Sequence, residues 1–453
     1  MKKIFQYVLM AVAVVVTASC SNELDETLQP ANNGTLQFVV GDFPAFGEST
    51  QTRAIGTQDE GKTAWEKDDQ IIVTLISQKY GEQAAALTYD GSSWSTEASL
   101  SYLENETPSV SVFYAPCYEV TEEGTMQLRS GMQLGMMEYL FGNYEIENGI
   151  MTITFEGAIR DYSRLRIAGL ANKTLTVTTT DFTPAGATSE ATEAYTLTAD
   201  DKGNAYIYGT FAEGATVTVK QGDITLKDYT FTAEKNPNGT EYNKSYALDA
   251  RPVIDGTLGG KATATEDDIT ALVEQLKEYV DNGITTIIVT GAEPAIIDMD
   301  LWINTAIGEA IYRLSGSDDY DENNPYNGKI DLIFQDVTEI VDQEFYSAWA
   351  LNSITLPKVI KIGDEAFHRT WFLKTITFES VLTEVNETGG VMFALVGKEV
   401  DGCNLFINCG QMKENSVPTP DLTTNTWKFK FENEFKSITL THTGECDECK
   451  ANQ

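Results

Sequence analysis

The chain carries one apolar pattern twice, at a fixed spacing of 22 residues. Ile340, Asp342, Phe345, Trp349, Leu351, Ile354 and Leu356 recur as Ile362, Asp364, Phe367, Trp371, Leu373, Ile376 and Phe378. A unit this short cannot enclose a core alone. Its apolar side is buried only when copies stack as successive coils, so the period predicts a solenoid with one parallel strand per coil. Strand alternation then puts Ile354 and Leu356 inside and leaves Ser353 and Thr355 on the open face of the sheet.

Stepping the same strand pair along the chain yields six rungs: Ile287/Val289, Leu332/Phe334, Ile354/Leu356, Ile376/Phe378, Leu405/Ile407 and Ile438/Leu440. Some spacings are stretched, as expected where insertions leave one side of a solenoid. The open face would present Thr355, Thr377, Phe406 and Thr439, which makes these candidate ligand-binding residues. Trp349 and Trp371 share one column and are candidates on a different ground. Two stacked indoles either fill the space between coils or form an exposed aromatic strip for a sugar or peptide. Upstream, Thr265 is placed to cap a helix whose first turn holds Glu266, Asp267 and Asp268, with Asp268 set for a capping box. Ile269, Leu272, Val273, Leu276, Tyr279 and Val280 give that helix one apolar face, and Asn282-Gly283 stops it. A second amphipathic segment is predicted over 301–314.

Before the ladder the pattern changes to strands. Runs such as Ile71–Ile76, Val110–Tyr114, Met151–Phe155 and Thr174–Thr178 are rich in β-branched and aromatic residues, with Gly, Asn and Asp turns between them. Many short strands without helices predict antiparallel sandwiches, and the length suits two, over 59–157 and 158–250. Residues 251–264, with Pro252 and three glycines, read as a linker to a solenoid over 265–445 and a tail over 446–453. Acids outnumber bases 68 to 31, for a net charge of −37. Such a surface repels phosphate, which excludes nucleic acid as a partner and basic docking to anionic lipid.

At the start, Met1-Lys2-Lys3 is a short basic segment and Ile4 to Val16 an apolar one too short to span a bilayer. Thr17-Ala18-Ser19-Cys20 resembles the lipobox of bacterial lipoproteins, with Thr17 where that family prefers Leu. The resemblance implies a signal peptide over 1–19, cleavage before Cys20 and diacylglycerol on its sulfur, so that membrane attachment is through lipid only. The acidic run Ser21–Glu26 resembles the tether of surface lipoproteins in some anaerobic Gram-negative bacteria. That implies an outer-membrane lipoprotein facing the cell exterior, with 20–58 as tether and first strand.

Two further resemblances follow from motifs. Thr52-Arg53-Ala54, the stretch from Trp65 to Val73, Tyr114-Ala115-Pro116, Ser163–Ile167, Gly209-Thr210-Phe211 and Tyr242–Tyr246 are similar, in order and spacing, to the fimbrillin-like (Mfa-like) family of outer-membrane lipoproteins and pilins. The family implies two tandem transthyretin-like sandwiches. In its fimbrial members, cleavage after an arginine opens a groove for a neighbour's donor strand, and Arg53 stands in the corresponding place as a candidate processing site. Ile362–Phe367 and Leu351–Pro357 resemble the bacterial-surface (BspA-type) leucine-rich repeats, although Ala348-Trp349 and Thr370-Trp371 replace the usual Cys and small polar residue.

The chemistry-bearing residues are sparse. The chain has 2 histidines and 6 cysteines. With Cys20 lipidated, Cys117, Cys403, Cys409, Cys446 and Cys449 are odd in number and cannot all pair internally. A Cys446–Cys449 or Cys403–Cys409 disulfide and free thiols both remain open, and His442 with Cys446 and Cys449 is only half a zinc motif. Asp319–Asn323 lacks the glycine and the closing Glu of a calcium loop. No nucleophile stands with a base, no glycine loop cradles a phosphate, and no carboxylate pair is singled out. No metal, cofactor or catalytic residue is therefore expected, and the chain is not read as an enzyme.

The fold class expected is multidomain: two tandem transthyretin-like antiparallel β-sandwiches followed by an α/β leucine-rich-repeat solenoid with a parallel sheet. The role expected is a surface adhesin or binding module for a host or bacterial surface protein or polysaccharide. The alternative is a fimbrial anchor, accessory or tip subunit that accepts a donor strand from other fimbrial subunits.

Overall fold

The computed structural model describes residues 36–44, 46, 62–103, 106–155, 160–188, 194–234, 239–297, 303–316, 320–385, 392–408, 420–421, 426–427 and 435–441. They fall in two units, one drawn from Met1–Ala45, Lys62–Ser130 and Tyr139–Ile159, the other from Phe46–Gly61, Gly131–Glu138 and Arg160–Gln453.

In the first unit one sheet is ordered Gln37–Val40, Ile150–Thr154, Leu140–Glu147, Ser109–Tyr114, Gln70–Ser77, Gly81–Tyr89 and Trp94–Ser95. Strand Leu140–Glu147 turns the corner between two layers. Its first residues, Leu140 to Gly142, pair with Ser109–Tyr114, and Asn143 to Glu147 pair with Ile150–Thr154. Ile71, Val73, Leu75, Leu87, Met151 and Ile153 fill the space between the layers. The Trp65 indole N–H donates to the Gly41 carbonyl at 2.8 Å, and its ring meets Phe43, Tyr114 and Phe155 edge-on.

The second unit begins with a true two-sheet sandwich. Phe182–Pro184, Asn204–Phe211, Ser163–Ala168 and Ser245–Asp249 form one sheet. Ala194–Thr198, Thr174–Thr179, Thr216–Gln221 and Ile224–Thr230 form the other. Between them Phe182, Phe211 and Phe231 stack, with centroids 4.4 and 4.7 Å apart. Arg160, itself buried, donates to Glu138 Oε2 from Nη2 at 2.8 Å and from Nε at 3.0 Å, under the ring of Phe46. Neither sandwich region is wholly antiparallel as expected. Gln37–Val40 runs parallel to Ile150–Thr154, and Ser163–Ala168 runs parallel to Ser245–Asp249. Alternation identifies a strand but not its direction, which long connections decide.

The rest of the second unit is the ladder. All six expected rungs pair in register in one parallel sheet: Ile287 meets Leu332, Leu332 meets Ile354, Ile354 meets Ile376, Ile376 meets Leu405, and Leu405 meets Ile438. A further strand, Val253–Asp255, joins at the edge beside Thr286–Thr290, inside the stretch expected as linker. Pro252 hid it. An edge strand tolerates a proline beside it, and its carbonyl still accepts from Ile288 N at 2.9 Å. Behind the rungs, Glu339–Ile340, Lys361–Ile362 and Glu384–Val385 form a second parallel sheet.

Between those sheets each coil turns through residues of left-handed backbone, Gln343 and Ser347 in one copy and Glu365 and Arg369 in the next. This aims Gln343, Phe345 and Ser347 N–H at the carbonyls of Asp364, Ala366 and His368, at 2.8 to 2.9 Å. The coils pass close together at Gly363, where an added Cβ would lie 2.3 Å from Asp342 N.

Two helices cover the first rungs. Helix α1 (Glu266–Asp281) has the expected capping box, with Thr265 and Asp268 bonded reciprocally, and buries Ile269, Leu272, Val273, Leu276 and Tyr279. Helix α2 (Ala306–Leu314) starts later than expected because Thr305 caps it, its hydroxyl accepting from Gly308 N. One continuous apolar cluster runs from Leu165 in the sandwich to Phe435 in the ladder.

Candidate functional site

The ladder's outward side chains form two straight rows, because parallel register repeats at every rung. Asp331, Ser353, Thr375, Asn404 and Ser437 make one row, and Ile333, Thr355, Thr377, Phe406 and Thr439 the other. Thr355, Thr377 and Phe406 are half-buried by their neighbours and Thr439 is exposed, so these four expected residues lie together on one accessible face. The first row is held by its own hydrogen bonds. Ser353 Oγ and Asn352 Nδ2 donate to Asp331 Oδ1 at 2.5 and 2.7 Å, and Ser437 Oγ donates to Asn404 Oδ1 at 2.7 Å. Asn352 reaches Asp331 because the register slips there by one residue. Within the two rows Asp331 is the one charged side chain among the described residues.

The tryptophan column lies elsewhere, at the coil turns, and it is not an exposed strip. Trp349 is 0% and Trp371 9% exposed. Their rings stack 5.1 Å apart at 25°, and Tyr320 from the preceding insertion sets its edge against both. Lys398 Nζ lies 4.3 Å from the centre of the Trp371 ring, and the Arg369 guanidinium lies 5.4 Å from it. Neither indole N–H has an acceptor among the described residues. Buried rings of this size contribute packing, and the reading of Trp349 and Trp371 as ligand contacts is corrected accordingly.

The phenylalanine column runs parallel to the tryptophans. Phe345, Phe367 and Phe393 stack in sequence at 5.5 Å. Phe393 is a third copy that the 22-residue step misses, because an insertion displaces it. The same turn holds Glu344, fully buried, where the next coil has Ala366. Its Oε1 accepts from Thr305 Oγ1 and its Oε2 from Val341 N, both at 3.1 Å. Burial outweighs these donors and pushes its carboxyl up to about 7. A lone acid in a column otherwise filled by Ala366 and Met392 was the available signal.

Other expected residues fall apart from this face. Cys403 is a buried free thiol rather than half of a disulfide, and burial raises its pKa. Cys117 is buried in the first unit. Cys20, Arg53, Cys409, His442, Cys446 and Cys449 lie outside the described residues. Among the described residues no three His, Cys, Asp or Glu side chains are grouped to hold a metal ion.

No protein-family model matches the chain, and neither does any curated protein. Two solved pilus proteins of Lactobacillus rhamnosus GG share a remote likeness. One is a C-terminal fragment of the pilus adhesin SpaC, 10% identical, with 48% of this chain and 96% of that one covered, at a TM-score of 0.13. The other is a double mutant of the shaft pilin SpaA, 8% identical with the same coverage, at a TM-score of 0.16. Likeness at that level bears on neither fold nor function.

Proposed function

We propose that this chain is a surface-displayed binding module of the fimbrillin-like kind. Cys20 anchors it by lipid to the outer membrane, facing outward, and the stacked coils are a BspA-type leucine-rich-repeat solenoid that carries the binding face. The observation behind this reading is the pair of accessible, register-locked rows on the ladder sheet, polar at every position but Ile333 and Phe406. Rigid parallel backbones hold those side chains in place before any partner arrives, which lowers the ordering cost of binding. The motif at Thr17–Cys20 supplies the anchor and the acidic run after it supplies the outward route.

Metabolic labelling with a fatty acid tests the anchor. Label should enter the wild-type chain and be lost in Cys20→Ala, and protease shaving of whole cells should remove the ladder. Label on the Cys20→Ala chain, or a ladder resistant to shaving on intact cells, would overturn the reading.

A further inference from the structure

We propose that the two-row face binds a neutral, extended, β-linked polysaccharide that lies across the strands, one sugar to each rung. This deepens the surface-binding reading and rests on it. The first argument is spacing. Neighbouring strands stand about 4.8 Å apart, so each row repeats at that interval. That interval is close to the advance of one pyranose ring in an extended β-linked glycan, whose neighbouring rings alternate in face, so that one face returns at every second rung. An extended peptide repeats its side chains on one face at roughly 6.8 Å and falls out of step within two rungs.

The second argument is chemistry. Thr355, Thr375 and Thr377 offer hydroxyls that both donate and accept, which suits a polyol, while the Ser353 hydroxyl, its proton held by Asp331, adds an acceptor. The half-buried Phe406 ring sits next in the same row as Thr377 and can take the apolar C–H face of a sugar. Asp331, fixed by Asn352 and Ser353, is an acceptor for sugar hydroxyls. No cation stands in either row among the described residues, and the chain's net charge is −37, so polymers bearing carboxylate or sulfate are disfavoured. The third argument is stiffness. Threonine has few rotamers and these rows are anchored by ladder hydrogen bonds, so little freedom is lost on contact.

The test uses the mature full-length chain, with insoluble cellulose, chitin and β-mannan as probes and their soluble oligosaccharides of increasing length. Retention on at least one polymer is expected, with affinity rising with oligosaccharide length until the five rungs from Ile330–Phe334 to Ser437–Thr441 are spanned. Thr377→Lys and Thr355→Lys should each weaken retention by about tenfold or more, a loss of one well-placed contact plus a clash. Thr377→Val keeps the shape and loses the hydroxyl, so it should fall between these and wild type, and circular dichroism confirms folding. No retention on any of the three polymers overturns the proposal, and so does retention that the lysine variants leave unchanged. Matrix-protein-coated surfaces form a parallel arm. Adhesion there that Thr377→Lys abolishes, without glycan retention, would sink the polysaccharide while the surface-binding reading stands; no adhesion in either arm sinks both.

Discussion

At the scale of single residues, the tryptophan pair and Glu344 carry the clearest consequences. Trp371 stacks on Trp349 and is enclosed by Tyr320 and Lys398. Trp371→Ala should therefore cost about 3–5 kcal/mol in urea unfolding. Partner binding by the folded fraction should be unchanged, and a selective loss of binding would restore the ligand role. Glu344 gives the chain a pH dependence of known sign. Its carboxyl titrates at about 7 when folded, against an ordinary 4.5. Between those values the folded state holds a proton that the unfolded chain has released. Stability is thus fullest below the unfolded value and falls as pH rises through about 7. The loss is on the order of 3 kcal/mol. Glu344→Gln should flatten that slope in denaturation measured from pH 4 to 9, and a slope that persists would assign it elsewhere. The columns of Trp and Phe were legible from the repeat. For the tryptophans the repeat left packing and an exposed strip both open, because Tyr320, which closes over them, arrives from an insertion that breaks the period.

At the scale of elements, the ladder and its capping helix were the most legible parts. Thr265 and Asp268 identify the start of α1 because a capping box is a local device, satisfied within one turn. Thr265→Ala should cost about 1 kcal/mol, read as a lower thermal midpoint. Gly363 is an element-scale residue too, since it sets how closely two coils stack. With only 2.3 Å between an added Cβ and Asp342 N, Gly363→Ala should cost about 1–3 kcal/mol, and a neutral result would mean the coils can shift. The rung Val253–Asp255 was illegible: three residues beside a proline hold no periodic signal, and only the neighbour Thr286–Thr290 makes them a strand.

At the scale of the whole molecule, the second sandwich and the ladder share one apolar cluster, and Gln221 Nε2 donates to the Asn282 carbonyl at 2.7 Å across their junction. They should unfold together in one calorimetric transition. A fragment beginning at Arg251 should be markedly less stable than the ladder within the full chain, and two separate transitions for 160–250 and 251–441 would contradict that coupling. The acidic surface, by contrast, needs no structure to be known. Sequence alone determined the net charge, the 22-residue coil, the inward and outward alternation and the helix cap, because each depends on neighbours along the chain. Only the tertiary structure decided that the tryptophans are core, that Glu344 is sealed under α2, that some sandwich strands run parallel, and that sandwich and ladder form one core. Each of these depends on residues far apart in sequence meeting in space, and no local pattern encodes which distant partner arrives.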